Sequence, residues 1–245
     1  MRIPTIEGLI RRRLLVNFRA DPLVVQRLLP TPLRPKLHDG QAIVGICLIR
    51  LEQIRPARLP AMFGIASENA AHRMAVVWDD ASGQHEGVYI PRRDTGSLVN
   101  RLAGGRIFPG EHHAACFDVD DHDGHVELRM HSADGSGSVH VVGHEADSLP
   151  GSSCFASLAE SSAFFAAGSL GYSATRDAHR LDGLVLHTDH WRVRAFEVSQ
   201  VESSYFNDRA RFPIGSIEFD HALIMRDIPH TWQQAADLCC TAATG

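Results

Sequence analysis

Alternation of apolar and polar residues runs through most of the chain and predicts a mainly β protein. In HVELRMHS, residues 125–132, Val126, Leu128 and Met130 lie on one face and the intervening polar residues on the other. DGSGS then predicts a turn, and SVHVVGHE predicts the return strand of a hairpin. Further strand candidates are RRLLVNF, QAIVGICLIR, HRMAVVW, EGVYI, HHAACFDV, LVLHT, WRVRAFEV and SIEFDHALIM.

Helical signals are few and short. Asp21-Pro22 predicts an N-cap with proline at the first helical position, followed by LVVQRLL and ended by Pro30. Residues 156–167, ASLAESSAFFAA, predict an amphipathic helix that ends at Gly168. A third short helix, SLVNRLA, starts at Thr95 or Gly96 and ends at two glycines.

Ten or more strands with three short helices indicate an α+β, mainly β fold, with one closed or strongly curved sheet. The order of elements shows no βαβ rhythm, which disfavours a doubly wound nucleotide-binding fold. We expect one domain over residues 1–245, with residues 1–10 and 237–245 as loosely ordered ends.

Composition narrows the choice of partner and compartment. The formal charge of −5 argues against nucleic acid or an anionic membrane as the main partner, and no apolar run approaches the roughly 18 residues of a membrane span. Five scattered cysteines without a C-x-x-C pair are typical of a reduced cytoplasmic protein. Lys36 is the only lysine among 24 basic side chains, so amine chemistry is limited to Lys36 and the N-terminus.

Fifteen histidines raise the question of a metal site. His112 and His113 are neighbours on a predicted strand, so their side chains point to opposite faces. DVDDHDGH, residues 118–125, falls where a hairpin turn is expected and lacks EF-hand spacing. His187 and His190 could chelate, but the sequence places no third ligand beside them. We expect no metal and no cofactor; phosphate-loop, dinucleotide, zincin and esterase-elbow motifs are also absent from the sequence.

Polar residues interrupt two otherwise apolar strand regions. GIASENAAHR contains Glu68, and GVYIPRRDTGS contains Arg92, Arg93 and Asp94. The planar fork of arginine suits a carboxylate, so Asp94 could neutralise one guanidinium and leave the other for an acidic ligand. The alternative is a solvated turn with a structural Arg–Asp pair. Glu68 could likewise be a general acid or base, or a buried carboxylate that holds an arginine.

At these residues the sequence resembles the acetoacetate decarboxylase-like superfamily, and more closely a bacterial branch of unassigned function. RLLVNFRADPLVVQRLLPTPLRP matches the N-terminal strand, short helix and proline-rich turn of that superfamily. Glu68 falls on its active-site glutamate, and YIPRRDTGS falls on its Pro-Lys-Lys segment. A second family glutamate has no acidic match, because the local stretch is AIVGICLIR.

The resemblance implies a cone-shaped, usually oligomeric β-barrel with a pocket for a small keto acid. In the true decarboxylase the first lysine of the pair forms a Schiff base and the second lowers its pKa. Arg92 and Arg93 stand at those positions, and a guanidinium cannot form a Schiff base. Lys36 belongs to the proline-rich turn and is a poor replacement. Arg11 falls near a family arginine that contacts substrate, although Arg12 and Arg13 compete for that position.

Three functions remain open at the level of sequence. The first is a lyase or hydrolase that acts on a small organic acid or carbonyl compound without Schiff-base decarboxylation. The second is a non-catalytic small-molecule-binding protein on the same barrel, and the third is a structural or assembly role in which Glu68 and the arginines form ion pairs. For the first, the catalytic candidates are Glu68 and Arg92. The substrate-binding candidates are Arg93, Arg11, Asn69, His72 and Asp94. We expect a homo-oligomer.

Overall fold

The computed structural model describes residues 5–97 and 110–240, and these form a mainly β protein. Its strands are β1 (Ile6–Ala20), β2 (Arg34–Pro35), β3 (Leu37–His38), β4 (Gln41–Pro56), β5 (Ile65–Asp80), β6 (Gly83–Thr95), β7 (His112–His122), β8 (His125–Ser132), β9 (Ser138–Ala146), β10 (Leu170–Ala174), β11 (Arg180–His187), β12 (Arg194–Ser203), β13 (Ile217–Gln234) and β14 (Leu238–Cys239). Its helices are α1 (Pro22–Leu28), α2 (Leu158–Ala167), α3 (Ser204–Asn207) and a 3-10 turn at Ala61–Phe63.

The structure contains the β7–β8 turn, the start of α1 and the end of α2 at the positions expected from the sequence. Asp123 and Gly124 both have positive φ, 48° and 81°, as a two-residue turn between β7 and β8 requires. Asp21 accepts a hydrogen bond from the Leu23 N–H and caps α1. At the end of α2, the N–H of Gly168 donates to the carbonyl of Phe165. The predicted helix SLVNRLA falls almost entirely within residues 98–109, outside the described residues.

The strands close into a ring, which confirms the expected closed sheet. Neighbouring strands follow the order β6-β7-β8-β9-β12-β13-β1-β4-β5, and β5 pairs back with β6. A second, smaller circuit runs from β6 through β10 and β11 to β13. The strands β13, β1, β4, β5 and β6 therefore belong to both circuits and form a wall between them, which we call the shared wall.

The two faces of the shared wall carry different side chains. The face towards β8 and β9 holds Leu14, Ile46 and Met74, which are fully or almost fully buried in the main hydrophobic core. We call it the core face. The opposite face carries Leu15 and Cys47 and packs against α2 and the segment before β12. We call it the cavity face. Because side chains alternate along a strand, neighbouring residues of the wall belong to different faces.

The ends expected to be loosely ordered, residues 1–10 and 237–245, lie within the described residues only at 5–10 and 237–240. Residues 6–10 begin β1 because Ile6 and Ile10 are buried, at 3% and 0% exposure. Near the other end, Leu238–Cys239 pairs with β11, and the Cys240 N–H donates to the carbonyl of His179. Among the described residues, no helix combines the length and apolar character needed to cross a membrane.

Candidate anion-binding site

A cavity of about 130 Å³ lies on the cavity face of the shared wall. All five strands of the wall contribute to one side of it. The start of β7, the end of α2, β10, β11 and the segment before β12 supply the rest. Its lining combines cationic and apolar side chains. The lining residues are Arg13, Cys47, Ile49, Leu51, Asn69, Ala70, Ala71, Arg73, Val88, Ile90, Arg93, Asp94, His112, Gly168, Ser169, Gly171, Leu184, Leu186, Trp191 and Trp232.

Strand register places Arg93 in a row of residues that crosses this wall. Arg93 on β6 pairs with Ala71 on β5, Ala71 pairs with Cys47 on β4, and Cys47 pairs with Leu15 on β1. Residues paired across neighbouring strands share a face, so these four form one row. Arg93, Ala71 and Cys47 all line the cavity. Arg93 Nε donates to Ser173 Oγ on β10 at 3.0 Å.

A parallel row on the same face positions Arg73. Arg73 pairs with Gly45, Gly45 pairs with Asn17, and Asn17 pairs with His221 on β13. Because Gly45 has no side chain, Arg73 Nη2 reaches across it and donates to Asn17 Oδ1. A Cβ on Gly45 would lie 2.3 Å from the backbone oxygen of Val16. The position therefore needs glycine for close approach.

A buried hydrogen-bond chain orients Asn17. Its Nδ2 lies 3.1 Å from His221 Nε2, and His221 Nδ1 lies 2.5 Å from Asp220 Oδ2. Since Nδ1 faces a carboxylate, it carries the ring proton and Nε2 accepts from the Asn17 amide. Burial raises the pKa of Asp220, but hydrogen bonds from His221, the Cys154 N–H and other donors outweigh it and hold that pKa well below its usual range. The chain presents Asn17 Oδ1 to Arg73.

Ser161 on α2 completes an arrangement of serine, histidine and aspartate. Its Oγ lies 2.8 Å from His221 Nε2. All three side chains are fully buried, and none of them lines the cavity. The arrangement therefore ties α2 to the shared wall and gives no substrate access to the Ser161 hydroxyl.

Three guanidinium groups meet the cavity without a carboxylate partner among the described residues. They belong to Arg13, Arg73 and Arg93. Arg13 Nη1 and Arg73 Nε are buried and have no hydrogen-bond partner within residues 5–97 and 110–240. Burial lowers the pKa of both Arg73 and Arg93 to about 10. The cavity thus holds positive charge that the surrounding protein leaves uncompensated, which is the arrangement an anionic ligand would complete.

Aromatic rings hold two of these guanidinium groups in place. Arg73 stacks over Phe165 with its guanidinium carbon 4.7 Å from the ring centroid, and Arg13 lies 5.8 Å from the centroid of Trp191. Arg13 Nε also donates to Cys47 Sγ at 3.3 Å. Both guanidinium groups therefore have a defined orientation in the absence of ligand.

His112 provides a titratable group beside Arg93. It lines the cavity at the start of β7, where its neighbour His113 points to the other face. Burial, followed by the nearby charges of Arg93 and His113, lowers the pKa of His112 to about 3. The imidazole is therefore neutral near pH 7 and a weak base.

Glu68 lies on the core face, away from the cavity. Arg12 Nη2 donates to Glu68 Oε2 at 2.8 Å, and Arg12 Nη1 donates to Asp121 Oδ2 at 3.1 Å. Burial raises the pKa of Glu68, while Arg12 and Arg50 lower it. Of the two possibilities open from sequence, this geometry favours a buried carboxylate that holds an arginine.

Arg92 and His72 also lie on the core face. Arg92 donates to both carboxylate oxygens of Asp94, at 2.8 and 2.7 Å, and Asp94 is fully buried. The His72 ring is 4.5 Å from the ring of Tyr205, and burial followed by Arg92 and Arg211 lowers the His72 pKa to about 3. Asp94 borders the cavity, but Arg92 satisfies its carboxylate.

The remaining candidates divide between the cavity and the surface. Asn69 lines the cavity, with its Oδ1 accepting from the Thr95 hydroxyl at 2.7 Å. Arg11 is half-exposed and pairs with Glu52 and Asp227 at 3.0 and 2.5 Å. The structure therefore brings Arg93 and Asn69 together at the cavity and leaves Arg11 outside it. The roles expected for Glu68, Arg92, His72 and Arg11 stay predictions without a geometric link to the cavity.

Lys36 lies nearer to the site than its place in the proline-rich turn indicated. It lines a smaller cavity of about 30 Å³ whose lining also includes Arg13 and Arg73. Its Nζ is 2.6 Å from Glu86 Oε2 and 4.2 Å from the ring centroid of Phe164. These contacts hold the Lys36 ammonium between a carboxylate and an aromatic ring.

Across residues 5–97 and 110–240, no group of three or more His, Cys, Asp or Glu side chains is placed to hold a metal ion.

Comparison with known proteins places this architecture in a family. The model of the DUF2071 family, described as an uncharacterized conserved protein, matches residues 9–223. The chain belongs to this family. No match was found among curated proteins.

Solved structures with the same fold are acetoacetate decarboxylase-like proteins. Acetoacetate decarboxylase from Legionella pneumophila is 11% identical, with a TM-score of 0.62 over 96% of this chain and 88% of that one. An acetoacetate decarboxylase-like enzyme from Sphingomonas wittichii RW1 is 13% identical, with a TM-score of 0.61 over 99% and 94%. The enduracididine biosynthesis enzyme MppR, complexed with pyruvate, is 8% identical, with a TM-score of 0.57 over 98% and 91%. This DUF2071 protein therefore has the acetoacetate decarboxylase-like fold, as its sequence resemblance implied.

Proposed function

We propose that the protein is an enzyme that binds a small organic acid in the arginine-lined cavity and transforms it without an imine intermediate. The observation that carries this proposal is the set of three guanidinium groups, from Arg13, Arg73 and Arg93, that meet one cavity without a carboxylate partner among the described residues. A bound carboxylate would supply that partner, because guanidinium and carboxylate form paired, charge-assisted hydrogen bonds.

The size and lining of the cavity define the ligand further. Its volume of about 130 Å³ is close to the roughly 150 Å³ of a protein cavity that holds benzene, so a ligand of about six or seven non-hydrogen atoms fits. Leu51, Leu186 and Trp232 provide an apolar surface for a short carbon chain. A short keto acid has this combination of charge and size. The pyruvate complex of MppR, which shares the fold, supports the same class.

The chemistry follows from the groups that line the cavity. A guanidinium stabilises negative charge that develops on a carbonyl oxygen during enolate formation. Arg93 is the candidate for that role because it lines the cavity beside the neutral imidazole of His112, its partner across β6 and β7. Glu68, the proton-transfer group expected from sequence, is held by Arg12 on the other face of the wall.

A non-catalytic binding protein is the second candidate function. It is favoured by the lining itself, in which the described residues include no lysine and only one carboxylate, that of Asp94, which Arg92 occupies. The same cavity would then hold the acid without transforming it. Both candidate functions require binding of the acid, and only the enzyme then transforms it.

Calorimetry with a keto acid and a neutral analogue tests the proposal. Acetoacetate and pyruvate should bind, and acetone should not. Arg93→Gln should abolish the binding, whereas Arg11→Gln, a matched change outside the cavity, should leave it intact. Equal binding by the two variants would overturn the proposal. Product analysis by NMR with each bound acid then separates the enzyme from the binding protein.

A further inference from the structure

Cys47 places a thiol on the wall of the arginine-lined cavity. It lies on β4 in the same cross-strand row as Arg93, separated from it only by Ala71. Its residue exposure is 7%, and it contributes to the cavity lining. The thiol is therefore enclosed by the protein and faces the same space as the guanidinium groups.

Cationic groups approach this sulfur from several strands. Arg13 Nε on β1 donates to Cys47 Sγ at 3.3 Å. Arg73 and Arg93, on the neighbouring strands β5 and β6, line the same cavity as Cys47. Arg73 is only 4% exposed, and its Nε has no hydrogen-bond partner in the part of the chain that the structure describes. A carboxylate that occupies the cavity would thus be held next to the sulfur by the same guanidinium groups.

We infer that Cys47 is a reactive nucleophile of this cavity towards small carboxylic acids that carry an electrophilic carbon beside the carboxylate. The inference rests on the proposed binding of a carboxylate by the arginines. Proximity and orientation, supplied by that binding, would convert a slow bimolecular reaction into a fast reaction within the complex.

The reaction balances without any oxidant or reductant. With a 2-halo acid, the deprotonated sulfur forms a bond to the carbon beside the carboxylate, and the halide leaves with the electron pair of the broken bond. The proton of the thiol passes to solvent. The product is a thioether that keeps the carboxylate next to the arginines.

The other cysteines of the chain provide internal controls. Cys116 and Cys239 are exposed and lie outside the cavity lining. Burial, followed by the charge of Asp220, raises the pKa of Cys154 to about 12. Exposed thiols report the intrinsic reactivity of a reagent, and a thiol with such a raised pKa stays protonated and unreactive.

Iodoacetate and iodoacetamide distinguish directed from undirected alkylation. They share the leaving group and the reacting carbon, but only iodoacetate carries the charge that the arginines bind. Peptide mapping by mass spectrometry gives the rate of alkylation at each cysteine of the chain with its native sequence. At Cys47 we expect the rate to saturate with rising iodoacetate concentration and to be at least about tenfold the rate with iodoacetamide. One charge-assisted hydrogen bond to the carboxylate is enough to account for a factor of about ten. Cys116 and Cys239 should show no such preference.

Three further measurements decide the outcome. A Cys116→Ser/Cys239→Ser variant should retain the preference at Cys47, and Arg93→Gln should reduce it towards one. Acetoacetate should protect Cys47 from iodoacetate. Equal rates with the two reagents, or an unreactive Cys47, would overturn the inference. If the alkylation result is negative in this way, calorimetry separates the two failures. When the native chain still binds acetoacetate, the inference alone has failed; when it does not, the proposed function has failed as well.

Discussion

Arg92 and Arg93 are neighbours in sequence, yet their substitution should have opposite consequences. Arg93 faces the cavity, and within the described residues its one hydrogen-bond partner is the Ser173 hydroxyl. Arg92 faces the core and pairs with Asp94 through two hydrogen bonds. We therefore compare Arg93→Gln with Arg92→Gln. Glutamine removes the charge in each case and keeps a polar side chain.

The expected stability of Arg93→Gln follows from its buried charge. Burial lowers the pKa of Arg93 from 12.5 to about 10, and one pKa unit corresponds to about 1.4 kcal/mol. Holding the guanidinium charged in the ligand-free cavity therefore costs about 3 kcal/mol, and this cost is present at every pH below about 10. Arg93→Gln removes it and loses one hydrogen bond. We expect an unfolding free energy at pH 7 that is unchanged or higher, together with loss of keto-acid binding.

The expected stability of Arg92→Gln follows from the partner that it leaves behind. Asp94 is fully buried and would lose its bidentate guanidinium. Removal of one member of a buried ion pair costs about 3–5 kcal/mol. For a domain of this size that corresponds to a fall of roughly 6–20 °C in Tm. Ligand binding should survive below the new Tm because Arg92 does not line the cavity.

Two assays test whether Arg92 and Arg93 have these separate roles or both belong to one binding site. Urea denaturation followed by fluorescence measures the unfolding free energy, and calorimetry with acetoacetate measures binding. The reasoning would be refuted if Arg92→Gln abolished binding while the fold was intact. It would equally be refuted if Arg93→Gln lost several kcal/mol of stability, since that would show its charge to be compensated within the protein.

Three further predictions address the amine, the glycine and the pH dependence. Borohydride reduction in the presence of pyruvate should give no adduct at Lys36, because Glu86 and Phe164 hold its ammonium; a mass increase mapped to Lys36 would contradict this. Gly45→Ala should lower the unfolding free energy by about 1–3 kcal/mol in urea titration, because its Cβ would collide with the Val16 oxygen, whereas Gly151→Ala, in open space, should not. Keto-acid affinity should be flat from about pH 5 to 8, since His112 titrates near 3, and should fall as pH rises through about 10, where Arg73 and Arg93 lose their protons; a midpoint near 6.5 in calorimetry would exclude this account.

Much of the fold could be predicted from the sequence because its signals are local. The alternation of apolar and polar residues predicted both ends of β8, and the Asp21-Pro22 pair predicted the start of α1. Short elements such as β10 and β14 escaped, since a strand of two to five residues carries too few alternations to be recognised. Their positions depend on pairing with β11, which is a tertiary contact.

The candidate site was less predictable because strand register decides which residues meet. Alternation alone indicates that Arg92 and Arg93 face opposite sides, just as it separates His112 from His113. It does not indicate which side holds the cavity. Arg13, Arg73 and Cys47 were missed for the same reason. Each of them gains its role from a neighbour on another strand, and only the paired rows of the shared wall bring them together.

The arginines of the shared wall lie on two faces with different roles. Those on the core face contribute to stability, and those on the cavity face are the candidates for ligand binding. On the core face, Arg12, Arg92 and Arg226 each meet a carboxylate of the described structure. On the cavity face, Arg13, Arg73 and Arg93 meet none. A register slip of one residue would exchange the two sets, placing unpaired cations in the core. The buried Asp94 and Glu68 therefore select the register that leaves the cavity arginines uncompensated. In this way the carboxylates on the core face contribute to anion binding without contacting the ligand.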